Sequence, residues 1–179
     1  TVETVSSVEW SADGSRVLFV AEGENGGNAV WSQPASGGTQ AEKLFEHTAT
    51  TTMATMSPDG KSLLVNALGG DSWAILRVSL DSARVGRTYL ASKGNVHAPQ
   101  FSPGGDTLAF LSARDSEEGK PAIWFLPLNG GEPWKLATFA ESVGEFRWSP
   151  DGRSIAFTML DSLGKQLKDW RKKKWDHVV

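Results

Sequence analysis

The 179-residue chain has no cysteine, and this excludes a disulfide framework, thiol catalysis and Cys-based zinc sites, while leaving the redox compartment open. It is poor in histidine: His47, His97 and His177 are far apart, without the short spacing of a metal-ligand set. Each of them reads as a loop or strand residue rather than a ligand or general base, and no metal or other cofactor is expected. No apolar run approaches the roughly twenty residues that span a bilayer, so no membrane partner is expected. Positive charge is not in excess either. With 18 basic against 21 acidic residues, a net charge of −3 and a pI near 5.6, the broad cationic face of a nucleic-acid binder is missing. No signal-like apolar segment follows Thr1, so a leader has been removed or the sequence begins here, and the compartment, bacterial periplasm or cytoplasm, stays open.

Catalytic signatures are lacking as well. A nucleophile elbow needs Gly-x-Ser-x-Gly on a strand-to-helix turn. The nearest approach is Gly70-Asp71-Ser72-Trp73-Ala74, which lacks the second glycine and falls between two predicted strands, where a hairpin loop is the expected structure. Gly23-Glu24-Asn25-Gly26-Gly27-Asn28 looks like a phosphate cradle, but a strand rather than a helix N-terminus follows it. This too is expected to be a hairpin turn.

What the chain has in quantity is repetition. Four stretches align on the residue before a turn serine: Trp10-Ser11-Ala12-Asp13-Gly14, Met56-Ser57-Pro58-Asp59-Gly60, Phe101-Ser102-Pro103-Gly104-Gly105 and Trp148-Ser149-Pro150-Asp151-Gly152. The anchors at 10, 56, 101 and 148 step by 46, 45 and 47 residues, a period typical of propeller arrays. Proline presets the first corner of a type I turn, aspartate accepts from nearby backbone, and glycine takes the positive φ that closes the hairpin. The third copy replaces the turn aspartate with Gly104 and the first replaces proline with Ala12, yet all keep the final glycine (Gly14, Gly60, Gly105, Gly152). Seven residues after each anchor, Val17, Leu63, Leu108 and Ile155 open a second strand.

A third strand is predicted over 28–34, 73–80 and 122–128, and a fourth over 42–45, 87–90 and 134–137, with Gly- or Ser-containing turns between them. Four short strands per unit of about 45 residues define a propeller blade. The expected fold is therefore all-β, a single propeller segment over 1–179, with blades at about 5–49, 50–94 and 95–141 and a partial blade at 142–179. Five of the eight Trp, at 10, 31, 124, 134 and 148, fall at repeat-related strand positions, where they are expected to pack blade on blade. About three and a half blades close poorly alone, so either the missing blades lie in a parent polypeptide or copies self-associate to complete a ring. Strand parity makes Glu9, Thr55, Gln100 and Arg147, each one residue before an anchor, candidates to line the central channel and touch a peptide or protein ligand. Residues 165–174 carry six basic residues and one acid, Asp169, and read as a solvated linker or blade edge, with an acidic partner or anionic surface as the sharper alternative.

The stretch 101–136, with Ile123-Trp124-Phe125-Leu126-Pro127-Leu128-Asn129-Gly130-Gly131-Glu132-Pro133 at its centre, resembles the propeller repeats of TolB-like proteins and of the amino-terminal domains of prolyl-oligopeptidase-family serine peptidases. Blades of those peptidases, acylaminoacyl-peptidases and dipeptidyl-peptidases among them, often read Ile-Trp-x-x-Pro-Leu-x-Gly-Gly-Glu-Pro. The final RKKKWDHVV (171–179) is similar to a stretch that follows a propeller repeat in the dipeptidyl-peptidase branch. The resemblance implies a non-catalytic propeller that gates substrate access to an α/β-hydrolase domain, itself absent from these 179 residues. A TolB-like protein-interaction propeller is the alternative, and an engineered or recombined propeller fragment that self-assembles is a third.

Overall fold

The computed structural model describes residues 4–23, 27–81, 83–92 and 95–159. These form fourteen strands, and among the described residues there is no helix. The first sheet contains β1 (Val5–Trp10), β2 (Arg16–Glu22), β3 (Asn28–Pro34) and β4 (Glu42–His47), and the second β5 (Thr51–Met56), β6 (Ser62–Gly69), β7 (Ser72–Ser79) and β8 (Gly86–Ala91). The third contains β9 (His97–Phe101), β10 (Thr107–Ser112), β11 (Ala122–Pro127) and β12 (Trp134–Lys135). In all three the strands lie in chain order and every pairing is antiparallel. Strands β13 (Val143–Trp148) and β14 (Ile155–Met159) form a two-stranded fourth sheet. The described residues thus form a set of propeller blades that does not close into a ring. The basic segment 165–174, the 171–179 stretch with His177, and Glu24, Asn25 and Gly26 of the glycine-rich loop lie outside the described residues.

Side-chain alternation ties the sheets together. From β6, Leu63, Val65 and Ala67 face the first sheet and join Leu18, Val20, Val30 and Leu44, whereas Leu64 faces the third sheet with Leu108, Phe110 and Trp124. From β10, Ala109 and Leu111 turn the other way, onto Val143 and Phe146. A strand covered on both faces reads as a continuous apolar run rather than an alternating one, which explains Leu63-Leu64-Val65 and Leu108-Ala109-Phe110-Leu111, all fully buried. Each large side chain sealed in this way contributes about 1.5–3 kcal/mol of apolar burial.

The anchor residues face the preceding sheet: Met56 packs on the first core, Phe101 lies in the second and Trp148 packs on the third. No described sheet precedes the first, so Trp10 remains 63% exposed, with Val8 beside it at 60%. Trp124 is buried and Trp31 and Trp148 are half-buried, but Trp134 lies at the exposed outer end of its sheet. Position in the repeat therefore sets which way a Trp points, and the presence of a neighbouring sheet decides whether it is covered.

The recurring turn is one hydrogen-bonded design. In the first copy, Ser11 Oγ donates to Asp13 Oδ1 at 2.6 Å while accepting from the Arg16 N–H at 2.9 Å, and the Gly14 N–H donates to the Ser11 carbonyl at 2.9 Å. Ser57 with Asp59 and Ser149 with Asp151 repeat the serine–carboxylate bond at the same length. All four turn glycines have φ between 68° and 73°. The third turn, which has Gly104 in the aspartate position, recruits Asp106 instead: Ser102 Oγ donates to its Oδ1 at 2.8 Å. Successive turns also stack. A Cβ added to Gly105 would lie 3.4 Å from Pro58 Cδ, and one on Gly152 the same distance from Pro103 Cδ.

Candidate functional site

The innermost strand of each sheet carries one residue of the expected channel set. Glu9 pairs with Leu18, Thr55 with Leu64 and Gln100 with Ala109, which puts these three on the face turned toward the following sheet, while Arg147 pairs with Ala156 on the face of the fourth sheet turned away from the third. Three of them join one network. Gln100 is buried between the third and fourth sheets, and its Nε2 donates to the Phe146 carbonyl at 2.6 Å. Arg147 Nη1 donates to that same carbonyl at 2.8 Å, and its Nη2 reaches Glu9 Oε1 at 3.5 Å. The ion pair joins the first sheet to the fourth, so the ends of the arc approach each other at their innermost strands. Both side chains remain accessible, 26% for Glu9 and 54% for Arg147. Such a pair is worth about 0–1 kcal/mol. Thr55 is half-buried and lies outside this network.

At the end of β5 and β9 away from the turns, a cavity of about 450 Å3 opens among Thr52, Met53, Asn66, Trp73, Asn95 and His97. Each innermost strand is irregular near this end, with register shifts after Val5, after Thr51 and after Val143 and another opposite Ala109. Bulges of this kind re-aim side chains. Asn66 is buried and uses its amide on the carbonyls of Val96 (2.9 Å) and Ala74 (3.2 Å), which ties the second sheet to the chain entering the third. Burial lowers the pKa of His97, which keeps its imidazole neutral near pH 7. Asn66, Asp106 and the bulges escaped the sequence reading because the repeat alignment highlights shared positions, and these residues act where the copies differ.

The remaining sequence candidates separate in space. Asp13, Gly14, Asp59, Gly60, Gly104, Gly105, Asp151 and Gly152 all fall in the hairpins between the first two strands of their sheets. Gly70 and Asp71 connect β6 to β7, with Gly70 at φ 66°, and Ser72 opens β7. His47 accepts the Ala49 N–H through Nδ1 at 3.1 Å. Among the described residues, no group of three or more His, Cys, Asp or Glu has the arrangement of a metal site.

Four-stranded antiparallel sheets stacked face to face around an axis, each beginning with the same serine–carboxylate hairpin, define a β-propeller, here in unclosed form. The particular version is the TolB-like propeller fold, shared with peptidase propeller domains: the chain superimposes on TolB from Acinetobacter baumannii with a TM-score of 0.77 at 24% identity, over 90% of this chain and 39% of that one. On a puromycin-hydrolyzing peptidase of Mycobacterium tuberculosis the TM-score is 0.66 at 19% identity, over 87% of this chain and 28% of that one. In sequence, it is 36% identical over 78 residues to the uncharacterized peptidase YuxL of Bacillus subtilis and 35% identical over 72 residues to the Tol-Pal system protein TolB of Alcanivorax borkumensis. Those matches take in 44% and 40% of this chain but only 12% and 16% of the relatives, so the chain spans a small part of the proteins it resembles. No family model matches the sequence.

Proposed function

We propose that the chain is a non-catalytic propeller segment, 1–179, of a prolyl-oligopeptidase-type serine peptidase, and that it controls which peptides reach a hydrolase domain of the parent polypeptide. The observation that supports this reading is the Glu9–Arg147 pair, which links the innermost strands of the first and fourth sheets, backed by Gln100. Opposite charges joined only at the accessible end of an ion pair make a constriction that a peptide opens by exchanging its own termini or side chains for the pair. The similarity to YuxL supports the peptidase branch. The same geometry in a TolB-like interaction module would hold a protein segment rather than pass it, and the similarity to TolB supports that second reading.

In the parent peptidase, Glu9→Gln with Arg147→Gln is expected to raise kcat/KM for long peptides relative to a short chromogenic substrate. Unchanged discrimination between long and short substrates argues against gating. The isolated chain is expected to hydrolyse no peptide and to take no label from a fluorophosphonate probe. Labelling of the pure chain, at Ser72 or elsewhere, overturns the non-catalytic assignment.

A further inference from the structure

Neighbouring sheets meet along seams, and the outer rim of each seam is built from the same register positions. Leu18, Leu64 and Ala109 pair with Ser32, Arg77 and Phe125, which in turn pair with Glu42, Arg87 and Trp134. The three seams fill this slot differently. In the first, the Glu42 carboxylate is held by two guanidiniums: Arg84 Nη2 lies 2.6 Å from Oε1, and Arg16 Nη2 lies 3.5 Å from Oε2. In the third, the slot is aromatic, with the Phe125 ring 4.5 Å from Trp134 and 5.4 Å from Trp148.

In the middle seam both slot positions are cationic. Arg77 and Arg87 face each other directly across β7 and β8, both exposed. Like charges in register on adjacent strands are destabilising unless something neutralises them. Among the described residues neither guanidinium lies in an ion pair, and the described ring contact is that of Arg77 with Tyr89, 6.0 Å from the ring centroid. Both arginines line an open cavity of about 610 Å3 whose walls also include Ser79, Asp81, Val85 and Tyr89. Asp81, the acidic member of that lining, uses Oδ1 to accept the Ala83 N–H at 3.1 Å.

We propose that this rim cavity binds a carboxylate carried by an acidic peptide segment of a partner protein. The first seam is a precedent for the chemistry, not for the positions: Arg16 and Arg84 hold the Glu42 carboxylate there, whereas in the second seam Arg77 and Arg87 stand where the first has Ser32 and Glu42, and an external Glu or Asp would supply the carboxylate. Guanidinium forks suit carboxylates in bidentate geometry. The cavity exceeds what a single ion needs, and the exposed Val85 and the Tyr89 ring offer apolar contact to the residues flanking the acid. The site is at the rim, away from the Glu9–Arg147 pair, and does not depend on the gating reading.

The test is fluorescence anisotropy of a labelled Glu-containing hexapeptide, its Gln counterpart and inorganic phosphate as competitor, with the wild-type chain, Arg77→Gln with Arg87→Gln, and Arg77→Ser with Arg87→Glu. The last variant reproduces Ser32 and Glu42 of the first sheet, so its slot residues already occur in a folded blade. The Glu peptide is expected to bind more weakly as salt rises, and to lose roughly tenfold or more in affinity in either double variant or when Glu becomes Gln. Equal binding of the two peptides, or binding unchanged in both folded variants, overturns the site. Phosphate binding at Arg77 and Arg87 without peptide binding overturns its assignment to a peptide partner. None of these readouts involves peptidase discrimination, so this site and the Glu9–Arg147 gate stand or fall separately.

Discussion

At the scale of single residues, the turn carboxylates carry the clearest electrostatic signature. Hydrogen bonds from Ser11, then from Ser15, favour the charged form of Asp13 and lower its pKa from 3.8 to about 2. Asp59, Asp106 and Asp151 are lowered for the same reason, led by Ser57, Ser102 and Ser149 respectively. A carboxylate whose folded pKa lies below its unfolded value stabilises the fold fully above the unfolded pKa and loses that contribution as pH falls through the folded one. Urea-unfolding stability is therefore expected to decline as pH drops from 4 toward 2, and Asp13→Asn to decline less steeply. An identical slope in the two proteins would remove Asp13 from the account. The third turn offers a sharper test, because Asp106 is absent from the shared motif and yet receives the Ser102 hydroxyl. Asp106→Ala is expected to lower Tm, and adding Gly104→Asp to recover part of the loss by restoring the carboxylate position of the other three turns. Failure of Gly104→Asp to recover stability would mean that the backbone of the third turn does not present an aspartate as its siblings do.

At the scale of elements, the repeat made most of the architecture legible before any coordinates, since a fixed seven-residue offset from anchor to second strand leaves no room for an insertion between them. The expected third strands at 28–34 and 122–128 match β3 and β11 to within a residue, whereas the fourth strand expected at 134–137 is only Trp134–Lys135. Short outer strands are hard to read because few of their residues are buried, and here Trp134, Leu136 and Ala137 are all exposed. The network of the innermost strands was half legible. Parity selected Glu9, Gln100 and Arg147, but no pattern in the sequence announces that Gln100 and Arg147 share the Phe146 carbonyl. The hairpins give the element-level prediction. Pro58 and Pro103 pack on the next turn's glycine, but Gly60 has open space where its neighbour carries Ala12. Ala12→Pro copies the residue that the other three turns use in the same hydrogen-bonded design. It is expected to stabilise the chain by about 0.4–1 kcal/mol, chiefly by restricting the unfolded chain, as read from urea denaturation. A loss of stability would show that the first turn holds φ outside the range proline allows.

At the scale of the whole molecule, the two ends of the arc are chemically unlike. The first sheet turns Val8, Trp10, Val17, Phe19 and Trp31 away from the second sheet, with Val8 and Trp10 largely exposed, while the far side of the fourth sheet carries Glu145, Arg147 and Thr158. A contiguous apolar sheet face of this kind is rare on a free-standing domain and marks a surface that packs on something. In a propeller the element that covers such a face is a neighbouring blade. The isolated chain is accordingly expected to self-associate through its first sheet, and light scattering after size exclusion should give a mass above that of one 19.3 kDa chain. Trp10→Lys puts a charge on the most exposed apolar side chain of the face without touching any buried core, so it is expected to shift the mass toward the monomer while leaving the far-UV spectrum unchanged. If the wild-type chain is a monomer at high concentration, water tolerates the open face, and a second copy is not what covers it. If Trp10→Lys associates as strongly as the wild type, association runs through another surface, and the apolar first sheet loses its role as the joint of the ring.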